Sequence, residues 1–249
     1  MDDTYTELLN ILTKERDVVF ENKTGPMQWY AGRTLDGEFF LNINTLNEIG
    51  KKYDCDKSDR YHSYLRKYEF FLSKFKNEHI TLLELGVLNG SSLKMWSEFF
   101  SGSRIIGTDI NKECLKHNGG NIEVLISDIS SVKDLTELKA FNPHVIIEDA
   151  THFWSHQILA LVILFDSIKE GGIYIMEDSD TAFGDYKNME YGDAIISGHS
   201  FCSLISEILS GNNEIDNSIP EVLYSYAKEI ANKSDMVAFI KGSVIIVKK

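Results

Sequence analysis

Acidic side chains recur at the ends of short apolar segments in the middle of the sequence. Glu84, Asp109 and Asp128 lie at or just after the first three segments, and Asp149 and Glu177 end the next two. Between these short apolar segments lie segments with the apolar spacing of helices. This alternation is typical of parallel strands covered by helices on both faces. Because ligands of open α/β sheets bind at the carboxyl ends of the strands, these acids are candidates for binding and catalysis.

The first apolar segment runs into a turn that contains two glycines. Glu84, Gly86 and Gly90 form the pattern E-x-G-x-x-x-G, which Ser92 follows. Glycines let the backbone turn sharply and approach a ligand closely. The pattern is not the G-x-G-x-x-G that holds a pyrophosphate, and a carboxylate in the turn would repel a diphosphate. The turn therefore favours an amine or a hydroxyl as ligand; a plain strand–helix turn is the simpler alternative.

Asp109 and Asp128 extend this pattern to the next two strands. An acid about 20 residues after such a glycine turn is placed to hydrogen-bond ribose hydroxyls. Asp128 is a candidate for contact with a base, or alternatively for the N-cap of a helix. Together with Glu84, the two acids predict a nucleoside ligand without phosphate. S-adenosylmethionine fits this prediction, since it has ribose hydroxyls, an ammonium group and no phosphate.

Three further acids follow the fourth and fifth strands. Asp149, Glu177 and Asp178 end adjacent strands, so we expect their carboxylates to converge and to bind a divalent cation. Ligation by oxygen alone suits Mg²⁺ or Mn²⁺ better than Zn²⁺. The alternative is that Glu177 and Asp178 only face water. Glu148 and Asp180 are weaker candidates, because alternation along a strand turns Glu148 away from Asp149.

His152 lies three residues after Asp149 and is a candidate general base. A sugar hydroxyl needs a base, metal acidification or both before it attacks a methyl group. We predict His152 and Asp149 as catalytic residues; the alternative for His152 is a solvent-exposed loop histidine. A metal pair of His152 with His156 is disfavoured, because no third soft ligand is nearby.

The elements that must position these residues form an α/β fold. The apolar segments at 80–85, 104–109, 122–126, 144–149 and 173–178 predict a parallel sheet, and residues 236–248 predict an antiparallel hairpin around Lys241-Gly242. We therefore expect a Rossmann-like, seven-strand sheet. Helical spacing from Leu46 to Phe75 predicts one buried face, made of Tyr61, Tyr64, Leu65, Tyr68, Phe71 and Leu72. We assign residues 46–249 to this domain and 1–45 to an N-terminal extension or cover segment, with a short helix around Leu8 to Leu12 and a hairpin or cover loop from Met27.

Several motifs match one enzyme family. The stretch Gly90-Ser-Ser-Leu-Lys-Met-Trp96 matches G-x-S-L-[KR]-M-W, Asp149-Ala-Thr-His152 matches D-[DG]-x-x-H, and residues 171–178 match G-G-x-Y-x-x-E-D. Upstream, Asp54-Cys-Asp-Lys57 occupies the position of the family's G-T-D-K motif. The segment from His62 to Tyr68 matches H-x-Y-x-x-x-Y. Asp54 and Cys55 depart from the Gly and Thr of the family.

On these motifs, residues 80–184 resemble class I S-adenosylmethionine-dependent methyltransferases. More narrowly, they are similar to the metal-dependent sugar O-methyltransferases of natural-product and surface-glycan pathways, such as the mycinamicin-type enzymes. The resemblance implies methyl transfer from S-adenosylmethionine to a hydroxyl of a sugar or nucleotide-sugar. It implies cofactor binding by Glu84, Gly86, Gly90, Ser92, Asp109, Asp128 and Asp149, and a metal site of Asp149, Glu177 and Asp178. The alternatives are a phosphorylated non-sugar acceptor, a dinucleotide oxidoreductase and a non-catalytic binding protein.

The acidic composition of the chain limits the kinds of molecule that it can bind. Among 249 residues, 25 are basic and 38 are acidic, for a net charge of −13. Such a chain is a poor general ligand for nucleic acids or anionic membranes. Cys55, Cys114 and Cys202 form no CxxC pair, and the acidic start lacks the pattern of a signal peptide. We expect a cytoplasmic protein with a small-molecule substrate, and a homo-oligomer is possible.

Overall fold

The computed structural model describes residues 5–12, 45–184, 191–212 and 218–249. It contains one seven-stranded sheet with the order β3-β2-β1-β4-β5-β7-β6. The strands are β1 (Thr81–Leu85), β2 (Arg104–Asp109), β3 (Ile122–Ile126), β4 (Val145–Glu148), β5 (Ile173–Met176), β6 (Ser234–Ile240) and β7 (Ser243–Lys248). The hairpin or cover loop predicted from Met27 falls largely outside the described residues, and the part inside them, Thr45, begins a helix.

Strands β1 to β5 pair in parallel, whereas β7 pairs antiparallel with both β5 and β6. This confirms the predicted sheet, including the C-terminal hairpin. The order of strands reverses between β1 and β4, and Leu85 at the end of β1 pairs with both Thr108 and Glu148. The loops that follow β1 and β4 therefore diverge at this point and leave a crevice, which is the usual ligand site of such sheets.

Helices cover both faces of the sheet and bury two apolar layers. The helices are α1 (Thr6–Leu12), α2 (Thr45–Lys52), α3 (Leu65–Leu72), α4 (Ser91–Phe99), α5 (Val132–Leu138), α6 (Trp154–Leu164), α7 (Gly198–Leu209) and α8 (Glu221–Lys233). One layer holds the buried residues of α1, α5, α6, α7 and α8, and the other holds those of α2, α3 and α4. The predicted N-terminal helix is confirmed by α1, whose Leu8 and Leu12 are fully buried.

The predicted continuous helical face between Leu46 and Phe75 is wrong in its middle. Helix α2 ends at Lys52 and α3 begins at Leu65, and Tyr61 between them is 57% exposed. The intervening segment contains Asp54 and Ser63, whose positive φ angles of 53° and 62° are incompatible with a helix. Asp and Ser side chains also compete with helical hydrogen bonds, and both are frequent in this segment. The segment 53–64, called the α2–α3 loop below, supplies side chains to the site.

All three cysteines lie in the described part of the chain, where they are buried and free of disulfides. Among the described residues, no helix combines the length and apolar character needed to cross a membrane.

Candidate functional site

A cleft of about 460 Å³ opens at the carboxyl ends of β1 to β5. Its walls come from the segment after each strand and from the α2–α3 loop. Of the residues predicted for the site, it is lined by Gly86, Ser92, Asp109, Asp128, Asp149, His152 and Asp178. The other predicted residues, Glu84, Gly90 and Glu177, are buried and lie outside the lining.

Gly86 allows the ends of β1 and β4 to meet at the floor of the cleft. Its φ is +101°, and a Cβ there would lie 2.1 Å from the backbone oxygen of Asp149. Gly90, with a φ of +72°, begins α4, and a Cβ there would lie 2.6 Å from the ring of His117. Both glycines are thus required by their positive φ and by the close approach of other chain segments. The predicted close approach to a ligand stays a prediction.

Glu84 is held inside the protein by α4. Its side chain is fully buried and accepts hydrogen bonds from Ser92 Oγ at 2.8 Å and from Trp96 Nε1 at 3.2 Å. Burial raises the pKa of Glu84 to about 7, although the ammonium of Lys57 opposes this rise. The structure thus places Glu84 as a neighbour of the cleft that fixes Ser92, which does line it.

Asp109 holds the glycine turn and also faces the cleft. Its Oδ2 accepts from the backbone nitrogens of Val87 at 3.0 Å and Leu88 at 3.2 Å, and its Oδ1 accepts from Asn111 N at 2.8 Å. Burial alone would raise the pKa of Asp109, but these backbone hydrogen bonds outweigh it and lower the pKa. The carboxylate is therefore ionised, and its oxygens can accept further hydrogen bonds from a ribose.

Asp128 forms a tight turn and does not cap a helix. Its Oδ1 accepts from the backbone nitrogen and the hydroxyl of Ser130, and these bonds lower its pKa. The N-cap of α5 is Ser131, whose hydroxyl accepts from Asp134 N. The alternative of an Asp128 N-cap is therefore not what the structure shows. Asp128 lines the cleft, where contact with a base stays a prediction.

The acids after β4 and β5 meet a lysine. Lys57, in the α2–α3 loop, donates to Asp149 Oδ2 and, at 2.9 Å, to Glu177 Oε2. Burial raises the pKa of both acids, and the ammonium opposes this rise. The sequence motif contained Lys57, but nothing local assigned it this role, because the contacts span 92 and 120 residues.

Asp178 connects a histidine with a tyrosine. Its Oδ2 lies 3.3 Å from His152 Nε2, and its Oδ1 accepts from the hydroxyl of Tyr64 at 2.8 Å. His152 and Asp178 both adopt positive φ, at 60° and 47°. Non-glycine residues in this region are strained, and they concentrate at functional sites. Sequence analysis missed Tyr64 as a site residue and placed it on a helix face.

Asp149, His152 and Asp178 form a group whose potential ligand atoms all lie within 4.8 Å of one another. Glu177 is close by through its shared partner Lys57, and its Oε1 is buried with no hydrogen-bond partner among the described residues. A buried carboxylate oxygen without a partner is costly unless something binds it. The group contains His152 where the sequence predicts Glu177, and its two carboxylates, Asp149 and Asp178, fit a hard cation such as Mg²⁺ or Mn²⁺. A place for Glu177 among the ligands stays a prediction.

The weaker candidates lie elsewhere. Glu148 is fully buried, where burial raises its pKa to about 8, and its Oε1 accepts weakly from Ala150 N at 3.4 Å. His156 Nδ1 lies 2.7 Å from Thr151 Oγ1. The group that could hold a metal includes His152 and not His156, so the structure gives no support to a pair of these two histidines.

The fold of this chain resembles that of a solved methyltransferase structure. The MycE methyltransferase from the mycinamycin biosynthetic pathway, solved in complex with Mg, SAH and mycinamycin VI, superimposes with a TM-score of 0.69. The sequence identity is 18%, over 82% of this chain and 54% of that chain. The fold is the α/β methyltransferase fold, as the sequence predicted.

The chain is also similar in sequence to O-methyltransferases of natural-product pathways. Demethylmacrocin O-methyltransferase of Streptomyces fradiae is 30% identical over 147 residues, which are 55% of this chain and 37% of the relative. The 8-demethyl-8-alpha-L-rhamnosyl tetracenomycin-C 2'-O-methyltransferase of Streptomyces olivaceus is 29% identical over 131 residues, which are 49% of this chain and 34% of the relative. The predicted similarity to sugar O-methyltransferases is thus confirmed, while the chain spans only about a third of these relatives. No protein-family model matches the chain.

Proposed function

We propose that this chain transfers a methyl group from S-adenosylmethionine to a hydroxyl of a sugar, with the help of a divalent cation. The observation that carries the proposal is a single cleft with two different ends. Asp109 and the glycine turn form one end, and the group of Asp149, His152 and Asp178 forms the other. The first end suits a nucleoside and the second suits the activation of a hydroxyl.

At the cofactor end, Asp109 would accept hydrogen bonds from the ribose hydroxyls, and Asp128 would lie beside the base. Gly86, Gly90 and Ser92 would form the turn that carries the rest of the cofactor, with Glu84 fixing Ser92 from behind. The solved relative contains SAH, which supports a cofactor of this type.

At the acceptor end, His152 would remove the proton of the hydroxyl as its oxygen attacks the methyl carbon. The carbon–sulfur bond breaks as the carbon–oxygen bond forms, which leaves S-adenosylhomocysteine and a methyl ether. Asp178 holds the imidazole, because its Oδ2 lies 3.3 Å from His152 Nε2. Asp149, Asp178 and the free oxygen of Glu177 would hold Mg²⁺ or Mn²⁺, which lowers the pKa of a hydroxyl when bound.

The charge of the cleft favours a sugar over the phosphorylated alternatives. Its lining includes the carboxylates of Asp56, Asp109, Asp128, Asp149 and Asp178. Lys57 is the one Lys or Arg of the described lining, which also includes His62 and His152, and its charge is already paired with carboxylates. Even with one divalent cation bound, the five carboxylates outnumber the positive charges, so a phosphate or diphosphate is repelled and a neutral sugar fits better than a nucleotide-sugar. The names of the relatives point to sugars attached to natural products.

The setting of the reaction follows from the same features. Free, buried cysteines fit a reducing compartment, so we place the reaction in the cytoplasm. We assign catalysis to residues 46–249, with 1–45 as an N-terminal extension or cover segment. Assembly into a homo-oligomer remains compatible with this proposal.

A mass-spectrometric screen tests the proposal. The purified chain is incubated with deuterium-labelled S-adenosylmethionine, Mg²⁺ and a panel of glycosides, free sugars and nucleotide-sugars. We expect a labelled methyl ether on a neutral glycoside, loss of the product in excess EDTA and recovery with Mg²⁺ or Mn²⁺. In Asp178→Asn the metal should no longer restore the product. Full turnover in excess EDTA would contradict the metal role, and labelling of phosphorylated compounds alone would contradict the sugar acceptor.

A further inference from the structure

The side chain of Lys57 fills the space among acids from three neighbouring strands. It is 1% exposed and extends inward from the α2–α3 loop. Its ammonium nitrogen contacts Asp149, lies 2.9 Å from Glu177 Oε2 and lies 3.8 Å from Glu84 Oε1. Within the described part of the chain, no other Lys or Arg forms an ion pair with these three carboxylates.

The backbone around Lys57 is fixed by its own hydrogen bonds. The carbonyl oxygen of Lys57 accepts from the backbone nitrogens of Tyr64 at 2.9 Å and Leu65 at 3.2 Å. Upstream, Cys55 N donates to Gly50 O at 2.9 Å, which ties the loop to the end of α2. The lysine is therefore delivered to the acids by an ordered segment that is anchored at both ends.

The acids around Lys57 need a nearby positive charge to stay ionised. Glu84 and Glu177 are essentially buried, and Asp149 is largely so, with 0%, 2% and 19% of their side chains exposed. Buried carboxylates that share one space repel each other and are poorly solvated, and removing one partner of a buried ion pair is strongly destabilising. The Lys57 ammonium supplies one positive charge to these three carboxylates. The Glu177 Oε1 atom still has no partner among the described residues, so one ligand position is left over.

We propose that Lys57 is a built-in cation of the candidate metal site. It holds Asp149 and Glu177 in place when no divalent cation is bound, so that the strand ends stay folded in the metal-free protein. This inference rests on the proposed metal site, and it does not depend on methyl transfer. Because Lys57 and the divalent cation bind the same carboxylates, a chain that lacks the ammonium should depend on the metal for its stability.

Thermal unfolding with and without metal tests this dependence. The wild type, Lys57→Met and Lys52→Met are unfolded in excess EDTA and in excess Mn²⁺. Lys52 is the control, because it forms an exposed ion pair with Glu98 at 2.6 Å. In EDTA we expect Lys57→Met to lose roughly 10 °C in Tm, as for a broken buried pair, and Lys52→Met to match the wild type. Mn²⁺ should raise the Tm of Lys57→Met by more than it raises that of the wild type.

A second variant covers the case in which Lys57→Met does not fold in EDTA. In Lys57→Met/Glu177→Gln, the more deeply buried of the two acids that Lys57 holds is neutral, so we expect a folded protein in EDTA without the extra gain from Mn²⁺. If that double variant also fails to fold in EDTA, the inference is overturned.

The outcomes separate the inference from the proposed function. Equal Mn²⁺ gains in the wild type and Lys57→Met would overturn the inference and support the metal site. A gain in Lys57→Met alone would support the inference and contradict metal binding by the wild type. A gain in neither protein would overturn both.

Discussion

At the scale of single residues, Asp109 combines two tasks in one carboxylate. It fixes the glycine turn through Val87 N and Leu88 N, and it still lines the cleft. Asp109→Ala should weaken the binding of S-adenosylhomocysteine roughly tenfold to a hundredfold, because a hydrogen bond to a charged group is lost. Calorimetry measures the effect. Glu123→Ala on the neighbouring strand, where Glu123 pairs with the exposed Arg104, is the control and should bind as the wild type does. If Asp109→Ala binds S-adenosylhomocysteine as tightly as the wild type does, Asp109 does not contact the ribose.

His152 is the second residue with a separable role. Its φ of 60° favours Asn as the replacement, because Asn tolerates this conformation better than Ala does. His152→Asn should lower the rate of methyl transfer by about a hundredfold, near the low end for general-base catalysis, since the metal shares the task. Binding of S-adenosylhomocysteine should stay unchanged. His156→Ala is the control. If His152→Asn turns over as fast as the wild type, the base must be sought elsewhere.

At the scale of elements, the C-terminal hairpin supports the site through one glycine. Gly242 has a φ of +72°, and a Cβ there would lie 2.3 Å from the hydroxyl of Tyr64, which donates to Asp178. The carbonyl of Gly242 also accepts from Ser179 N at 3.0 Å, which ties the turn to the end of β5. The turn between β6 and β7 thus positions Tyr64, and Tyr64 positions Asp178.

Gly242→Ala should therefore displace Tyr64 and weaken Mn²⁺ binding roughly tenfold. We expect Tyr64→Phe to weaken Mn²⁺ binding by a similar factor. In the double variant, the two effects should not add, since both remove the same hydrogen bond. Gly171→Ala is the matched control, because its φ is +70° and a Cβ there meets nothing within 4 Å. Additive effects in the double variant, or an equal loss in Gly171→Ala, would show that the hairpin does not act through Tyr64.

The elements also show what sequence can and cannot predict. Buried parallel strands are short apolar runs, so their ends and the acids Asp109 and Asp149 were predictable from local pattern. The break between α2 and α3 was not, because apolar spacing continued across a loop whose backbone turns through Asp54 and Ser63. Lys57 and Tyr64 reach the site through that loop, and the contact of Tyr64 with Asp178 spans 114 residues. No local pattern encodes such distant partners.

At the scale of the whole molecule, one buried histidine links stability to pH. His199 in α7 lies between the rings of Phe183 and Phe239, each 4.9 Å away, and burial lowers its pKa from 6.5 to about 4. The unfolded chain therefore takes up a proton before the folded chain does. The contribution of His199 is present above pH 6.5 and is lost as the pH falls towards 4.

His199→Phe should remove this part of the pH dependence. Between pH 7 and pH 4, the wild type should lose about 2–3 kcal/mol more unfolding free energy than the variant does. Urea unfolding at a series of pH values measures the difference. The same substitution at the exposed His79 is the control and should keep the slope of the wild type. Parallel slopes for the wild type and His199→Phe would contradict the buried, neutral state of His199.

The proposed reaction depends above all on binding of the methyl donor in the cleft, which a calorimetric titration measures. The wild-type chain is titrated with S-adenosylhomocysteine and, separately, with NAD. We expect saturable binding of S-adenosylhomocysteine, because Asp109 and the glycine turn suit a nucleoside without phosphate. We expect no comparable binding of NAD, whose diphosphate would meet the acidic lining of the cleft. Tighter binding of NAD, or no binding of S-adenosylhomocysteine, would show that the cleft is not a site for the methyl donor.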